Sequence, residues 1–177
     1  RLENNNKGPN TGSMGCISYS NHSLPFLTTE DLEKSKNILE KTINKLQTDQ
    51  SSSNSIYKGI VYGSFMKCKS GIKVIEFNAR FGDPECINAL ELLKTDLLDI
   101  IVAIVETKLN TINIEYSKEN IVSKYLVPDG YAMNTMNTMN TINTDWYETN
   151  KKNIIPSSIN LINNNLYSTQ SRTLVYF

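Results

Sequence analysis

Val74-Ile75-Glu76-Phe77-Asn78-Ala79-Arg80-Phe81-Gly82-Asp83-Pro84-Glu85 is the stretch on which the reading turns. Its first half is β-branched and aromatic and its second half runs into Gly-Asp-Pro, which predicts a strand, a turn and then a helix. Alternate side chains of a strand share a face, so Glu76, Asn78 and Arg80 are expected on one side and Phe77, Ala79 and Phe81 on the other, against a core. One face then carries a carboxylate, an amide oxygen and a guanidinium. A hard divalent cation takes oxygen ligands and often needs only one or two carboxylates beside substrate phosphates, which suits Glu76 and Asn78. Arg80 has the fixed fork that grips a phosphate or an acyl phosphate. On spacing alone, the exposed polar face of an edge strand explains the same pattern equally well.

Working outward, Tyr57–Lys67 is a second strand-like run, and Lys69-Ser70-Gly71 between the two predicts a β-hairpin. Downstream, Asp83 is placed as N-cap and Pro84 as first residue of a helix through Ile87, Leu90 and Leu93. Thr95-Asp96 restarts a second helix through Leu97, Leu98, Ile101, Ile104 and Val105, and these two apolar helices are expected on the hairpin. Upstream, a helix starting at Thr29 or Glu30 carries Leu32, Ile38, Leu39, Ile43 and Leu46 at helical spacing. Ser51-Ser52-Ser53-Asn54-Ser55 reads as a flexible loop after it.

Beyond residue 109 the character changes to short β-prone pieces, Ile112–Tyr116, Ile121–Val127, Ser158–Ile162 and Thr173–Phe177, with a turn at Asn163-Asn164-Asn165. Residues 133–145 hold a tandem Asn-Thr-x repeat whose period of three fits neither helix nor strand, so a disordered insertion is expected there. The fold class is therefore α/β (α+β): an antiparallel sheet with packed helices over residues 1–108, then a small β-rich module over 109–177.

Eighteen Lys+Arg balance eighteen Asp+Glu, which provides no electrostatic footprint for nucleic acid or an anionic membrane. No apolar run reaches the ~18 residues of a membrane span, and residues 1–20 lack the apolar core of a signal peptide, so a soluble intracellular protein is expected. The three cysteines, Cys16, Cys68 and Cys86, are odd in number and form no C-x-x-C, which suggests neither zinc nor a disulfide framework. The single histidine, His22, is framed by no Ser or Cys partner and reads as a surface residue. A first residue of Arg1 suggests a segment that begins inside a longer polypeptide.

The other candidate is Gly8-Pro9-Asn10-Thr11-Gly12-Ser13-Met14-Gly15. Glycines bracketing Asn10-Thr11 allow backbone N–H groups to turn on a small anion without side-chain obstruction, although a plain turn has the same composition. It is not a Walker A loop, since no Gly-Lys-Ser/Thr follows.

Together the two blocks, Glu76-Phe77-Asn78-Ala79-Arg80-Phe81-Gly82-Asp83-Pro84-Glu85 and Gly8–Gly15, resemble the signatures of the glycinamide ribonucleotide synthetases (phosphoribosylamine–glycine ligases), ATP-grasp enzymes of purine synthesis. Their order and separation fit, as does Tyr57-Lys58-Gly59-Ile60-Val61-Tyr62 for the strand entering the metal site. The similarity is good over residues 7–105 and faint beyond, where Ser171-Arg172-Thr173-Leu174 is similar to a late Gly-Gly-Arg-Val-Leu strand. The resemblance implies the C-terminal half of an ATP-grasp domain at 1–108 and a ligase that joins glycine to 5-phosphoribosylamine through glycyl phosphate, releasing ADP and phosphate. By position, Glu76 and Asn78 would hold Mg2+ or Mn2+ on ATP, Arg80 would be the catalytic residue at the acyl phosphate, and Asn10, Thr11, Gly12 and Asp83 would bind substrate.

The family's location implies the cytoplasm, with no nucleic-acid or membrane partner and with fusion to, or association with, other purine-synthesis enzymes open. Departures from the pattern are Asn6 for the usual Asp, Ser13 for Gly, and Gly63-Ser64 for Ala-Gly. Nothing in the chain matches the family's N-terminal domain or its small ATP-clamping domain, so residues 1–177 alone are expected to give no turnover. Two rivals stand beside this reading: a decayed homologue kept as a binding or interaction protein, and an ATP-grasp carboxylate–amine ligase with another acceptor.

Overall fold

The computed structural model describes residues 1–48, 57–133 and 139–177. The serine-rich loop expected at 51–55 and the part of the repeat at 134–138 lie outside the described residues. The chain forms two compact units that interleave in sequence, Arg1–Ser18 with Asp83–Asn88 and Asn120–Phe177, and Tyr19–Gly82 with Ala89–Glu119. Beside the expected division at 108/109, the compact units group residues 1–18 and 83–88 with 120–177. A strand read as loop explains the difference, because β1 (Gly15–Ser18) pairs antiparallel with β4 (Ile121–Leu126) and carries the N-terminal segment into the later unit.

In that first unit β1 and β4 continue into β9 (Leu174–Tyr176) and β6 (Ile154–Pro156), giving an antiparallel sheet of order β1-β4-β9-β6. Val175 is fully buried, with Leu174, Tyr125 and Ile154 beside it as the core. Gly15 is required by close approach: a Cβ there would collide with the Ser123 carbonyl oxygen of β4. A small sheet, β5 (Thr141–Ile142), β8 (Asn165–Ser168) and β7 (Ile159–Ile162), lies in the same unit.

The expectation of disorder through 133–145 is corrected at its C-terminal end. Thr141–Ile142 pairs with β8, and Asn143 caps the helix α4 (Thr144–Asn150) by accepting the Trp146 N–H at 2.8 Å. Chemistry outweighs the period of three there: an Asn oxygen is a strong helix cap. The turn is confined to Asn163-Asn164, both at positive φ, and Asn165 already pairs with Ile162. Asparagine tolerates that left-handed backbone, as a two-residue hairpin loop demands. Ile112–Tyr116 is not a strand; only Tyr116 forms an isolated bridge, to Leu93.

The second unit holds α1 (Thr29–Thr48), the hairpin β2 (Tyr62–Cys68) and β3 (Gly71–Asn78), the end of α2 (Glu85–Leu92) and α3 (Leu97–Val105). The helix seated on the hairpin is α1, where α2 and α3 had been expected: Leu39 of α1 packs where a Cβ of Gly63 would lie, and Lys67 of β2 reaches Asp31 of α1 at 2.5 Å. On α3 a stripe of Leu98, Ile101, Val102 and Val105 stays exposed. Asp96 caps that helix through the Leu98 N–H at 2.7 Å.

Thr28 and Asp31 cap α1 reciprocally: the Asp31 carboxylate accepts from Thr28 N, and Thr28 Oγ1 accepts from Asp31 N, at 2.9 and 3.2 Å. The Lys67 ammonium, then the Thr28 bonds, hold the Asp31 carboxyl down at about 2. A carboxyl lowered on folding stabilises the fold above its unfolded value of about 3.9 and loses that contribution as pH falls toward 2. Unfolding midpoints measured from pH 6 to pH 2 should therefore fall less steeply below pH 4 in Asp31→Asn than in the parent; parallel curves would show that the Asp31 pairing contributes nothing.

Candidate functional site

The hairpin register sets the two faces of the strand that carries the first candidate group. Gly63 is opposite Phe77 and Ser64 opposite Glu76, while Tyr62 faces Asn78. Phe65 meets Phe77 edge to face, with centroids 6.5 Å apart, on the side where Leu39 of α1 packs against Gly63. Glu76 and Asn78 consequently project from the side away from α1, next to each other, with Asn78 Nδ2 donating to Glu76 Oε1 at 3.0 Å. A bulge between Ser64 and Phe65 lies before this pair in β3, so alternation holds across Glu76-Phe77-Asn78.

Two expectations for this strand are corrected. The opposite face is only half a core: Phe77 stays 40% exposed and Ala79 is exposed, because a two-stranded sheet with one helix covers little of either face. Arg80 lies beyond β3, in a bend, and its Nη1 donates to the Phe81 carbonyl at 2.7 Å, so strand alternation does not aim it. Among the described residues no group of three or more His, Cys, Asp or Glu could enclose a metal. One carboxylate and one amide oxygen are too few for a protein-only cage, yet they fit a cation whose remaining ligands are phosphate oxygens and water.

The second group belongs to the other unit. Asn10, Thr11 and Gly12 form one wall of a cleft of about 540 Å³ whose other wall is Tyr131, Ala132, Met133 and Gln170. Asp83 joins that loop indirectly. Arg172 Nη2 pairs with Asp83 Oδ2 at 2.5 Å, and Arg172 Nη1 donates to the carbonyls of Gly12 at 2.8 Å and Ser13 at 3.1 Å. Tyr125 OH donates to Asp83 Oδ1 at 2.6 Å, and its ring lies under the guanidinium, 4.4 Å from Cζ to centroid. Burial first, and then the bond to the Asp83 anion, push the Tyr125 phenol above its ordinary value. Both carboxylate oxygens of Asp83 are thus engaged, so it does not serve as the expected helix N-cap; α2 starts at Glu85, after Asp83 and Pro84.

The structure thus gathers Asn10, Thr11, Gly12 and Asp83 into one unit and pairs Glu76 with Asn78 in the other, with Arg80 in that second unit but off the strand. Sequence reasoning left Tyr125, Tyr131 and Gln170 without a role, and for Arg172 its signal was a likeness to a late strand motif.

A profile described as "Phosphoribosylglycinamide synthetase, ATP-grasp (A) domain" matches residues 1–86. A phosphoribosylamine–glycine ligase of Methanococcus maripaludis is 45% identical over 171 residues, 96% of this chain and 38% of the relative. One from Methanocaldococcus jannaschii is 42% identical over 171 residues, 95% of this chain and 37% of the relative. The likeness therefore runs through nearly the whole chain, not only to residue 105, while the chain spans under two-fifths of these relatives. A solved phosphoribosylamine–glycine ligase from Thermotoga maritima superposes with a TM-score of 0.68 over 99% of this chain and 41% of that one, at 19% identity, and so shares the fold.

Ser13 sits at φ +86° and its Oγ donates to the Gly15 carbonyl at 3.2 Å. A side chain at such a φ costs about 1–2 kcal/mol that glycine avoids. Ser13→Gly should raise unfolding stability by about 1 kcal/mol in urea titrations; a loss of stability would mean that the hydroxyl bond outweighs the backbone strain.

Proposed function

The chain belongs to the phosphoribosylamine–glycine ligase family, and from that premise we propose that the complete polypeptide joins glycine to 5-phosphoribosylamine in the cytoplasm, using ATP. A glycine carboxylate oxygen attacks the γ-phosphorus and ADP leaves. The amine nitrogen then attacks the acyl carbon of glycyl phosphate, the amine loses a proton, and phosphate departs as the amide forms.

The observation that carries this reading is the Glu76–Asn78 pair, set side by side at 3.0 Å on the hairpin face turned from α1. These two residues would hold Mg2+ or Mn2+, a Lewis acid that neutralises charge on the ATP phosphates. The chain's own part is positioning, since phosphoryl transfer leaves a protein little covalent chemistry to perform. Glu76 brings negative charge and Asn78 a neutral oxygen, so the pair anchors a cation without repelling the phosphates as two carboxylates would. Arg80, whose bend frees it from the strand's direction, can give up its bond to the Phe81 carbonyl for a phosphate oxygen. Asn10, Thr11 and Gly12 bind the small substrates beside the cleft, and Asp83, whose carboxylate is taken up by Tyr125 and Arg172, shapes that loop from behind. Among the described residues no helix is long and apolar enough to cross a membrane.

Glu76→Ala in the complete polypeptide should lower metal-dependent turnover of glycine, phosphoribosylamine and ATP by at least about 100-fold, with the fold intact by circular dichroism. Unchanged turnover, or none in the parent, would overturn the ligase reading and favour a homologue kept for binding.

A further inference from the structure

The Arg172 side chain is only 16% exposed, and every neighbour named above belongs to another segment of the chain: Gly12, Ser13, Asp83 and Tyr125. Its fork takes two consecutive carbonyls of one turn with one nitrogen and a carboxylate with the other, an arrangement that a planar five-donor cation can satisfy and an ammonium cannot. The peptides that carry those carbonyls are trans, so their N–H groups, those of Ser13 and Met14, point away from the guanidinium. Neither N–H has an acceptor among the described residues. The same grip keeps Ser13 at a positive φ that it would otherwise tend to leave.

We propose that Arg172 is a positioning residue: by fixing the carbonyls of Gly12 and Ser13 it holds the N–H groups of Ser13 and Met14 as a ready pair of donors for the anionic group of a substrate. The chemistry selected is a small oxyanion, a carboxylate or a phosphate monoester, because two adjacent backbone donors match two oxygens on one centre. Asp83 holds the guanidinium in register, and Tyr125 supports it from below while bonding Asp83. In the ligase, on whose reading this rests, the oxyanion is the glycine carboxylate or the 5-phosphate of phosphoribosylamine.

The test uses Arg172→Lys and Tyr125→Phe in the complete polypeptide, with two readouts. Amide hydrogen exchange over residues 10–14 reads the loop without any need for turnover. Unbonded N–H groups exchange near their intrinsic rate, so the readout is protection by an added anion, which Arg172→Lys should abolish and Tyr125→Phe should weaken, while neither variant alters the β2–β3 hairpin. Millimolar glycine or inorganic phosphate should slow that exchange in the parent and not in Arg172→Lys; the probe that protects identifies the oxyanion. In steady-state assays Arg172→Lys should raise KM about tenfold for either glycine or phosphoribosylamine and leave KM for ATP unchanged. Protection by neither probe in the parent, protection kept in full by Arg172→Lys, or a fall in kcat with both KM values unchanged would overturn the proposal. Should Arg172→Lys fail to fold, Tyr125→Phe carries the exchange test alone. A parent without turnover that still shows protection would defeat the ligase reading and leave the oxyanion clamp standing.

Discussion

A single guanidinium ties together parts of the chain that lie up to 160 residues apart. Arg172 stands just before β9, the central strand whose Val175 is fully buried, so its stem is fixed by the best-packed part of the first unit. From there it bonds the Gly12–Ser13 turn, pairs with Asp83 and covers Tyr125. A surface ion pair contributes little, but one with a mostly buried Arg, good geometry and several further hydrogen bonds constrains far more. The Gly12–Ser13 turn is held by this network and by the β1–β4 pairing that follows it.

The hairpin works by dividing its faces. Phe65 and Phe77 turn toward α1, where Gly63 lets Leu39 come close, and Lys67 locks onto the capping carboxylate of Asp31. Polar Glu76 and Asn78 are left on the other side with nothing of α1 above them. Glu76 is exposed and Asn78 half-buried there, and a carboxylate beside an amide oxygen is the donor set proposed to hold a cation against phosphate.

Much of this was legible in the residues. The hairpin, α1 and α3 followed from apolar periodicity and turn chemistry, and the Glu76-Phe77-Asn78 alternation holds because the bulge falls before it. Three things were not legible. Gly15–Ser18 is a short strand whose evidence is its partner β4, more than a hundred residues away, and local pattern carries no such information. The helix at Thr144 depends on one cap, Asn143, hidden inside a repeat that looks featureless. The role of Arg172 is the third: its local signal was only a faint likeness to a late strand motif, and what defines it is the convergence of Gly12, Ser13 and Asp83 in space. Asp83 itself was assigned the wrong local duty: a cap was the reasonable reading of Asp-Pro before a helix, and a long-range pairing with Arg172 took precedence.

In the ligase chemistry proposed for the complete polypeptide, a glycine carboxylate is activated as an acyl phosphate before the amine attacks. The most direct measurement is the fate of oxygen when the complete polypeptide turns over glycine labelled with 18O in both carboxylate positions. An acyl phosphate route places one labelled oxygen in each phosphate released and leaves the other in the new amide. Unlabelled phosphate accompanying amide formation would contradict the account.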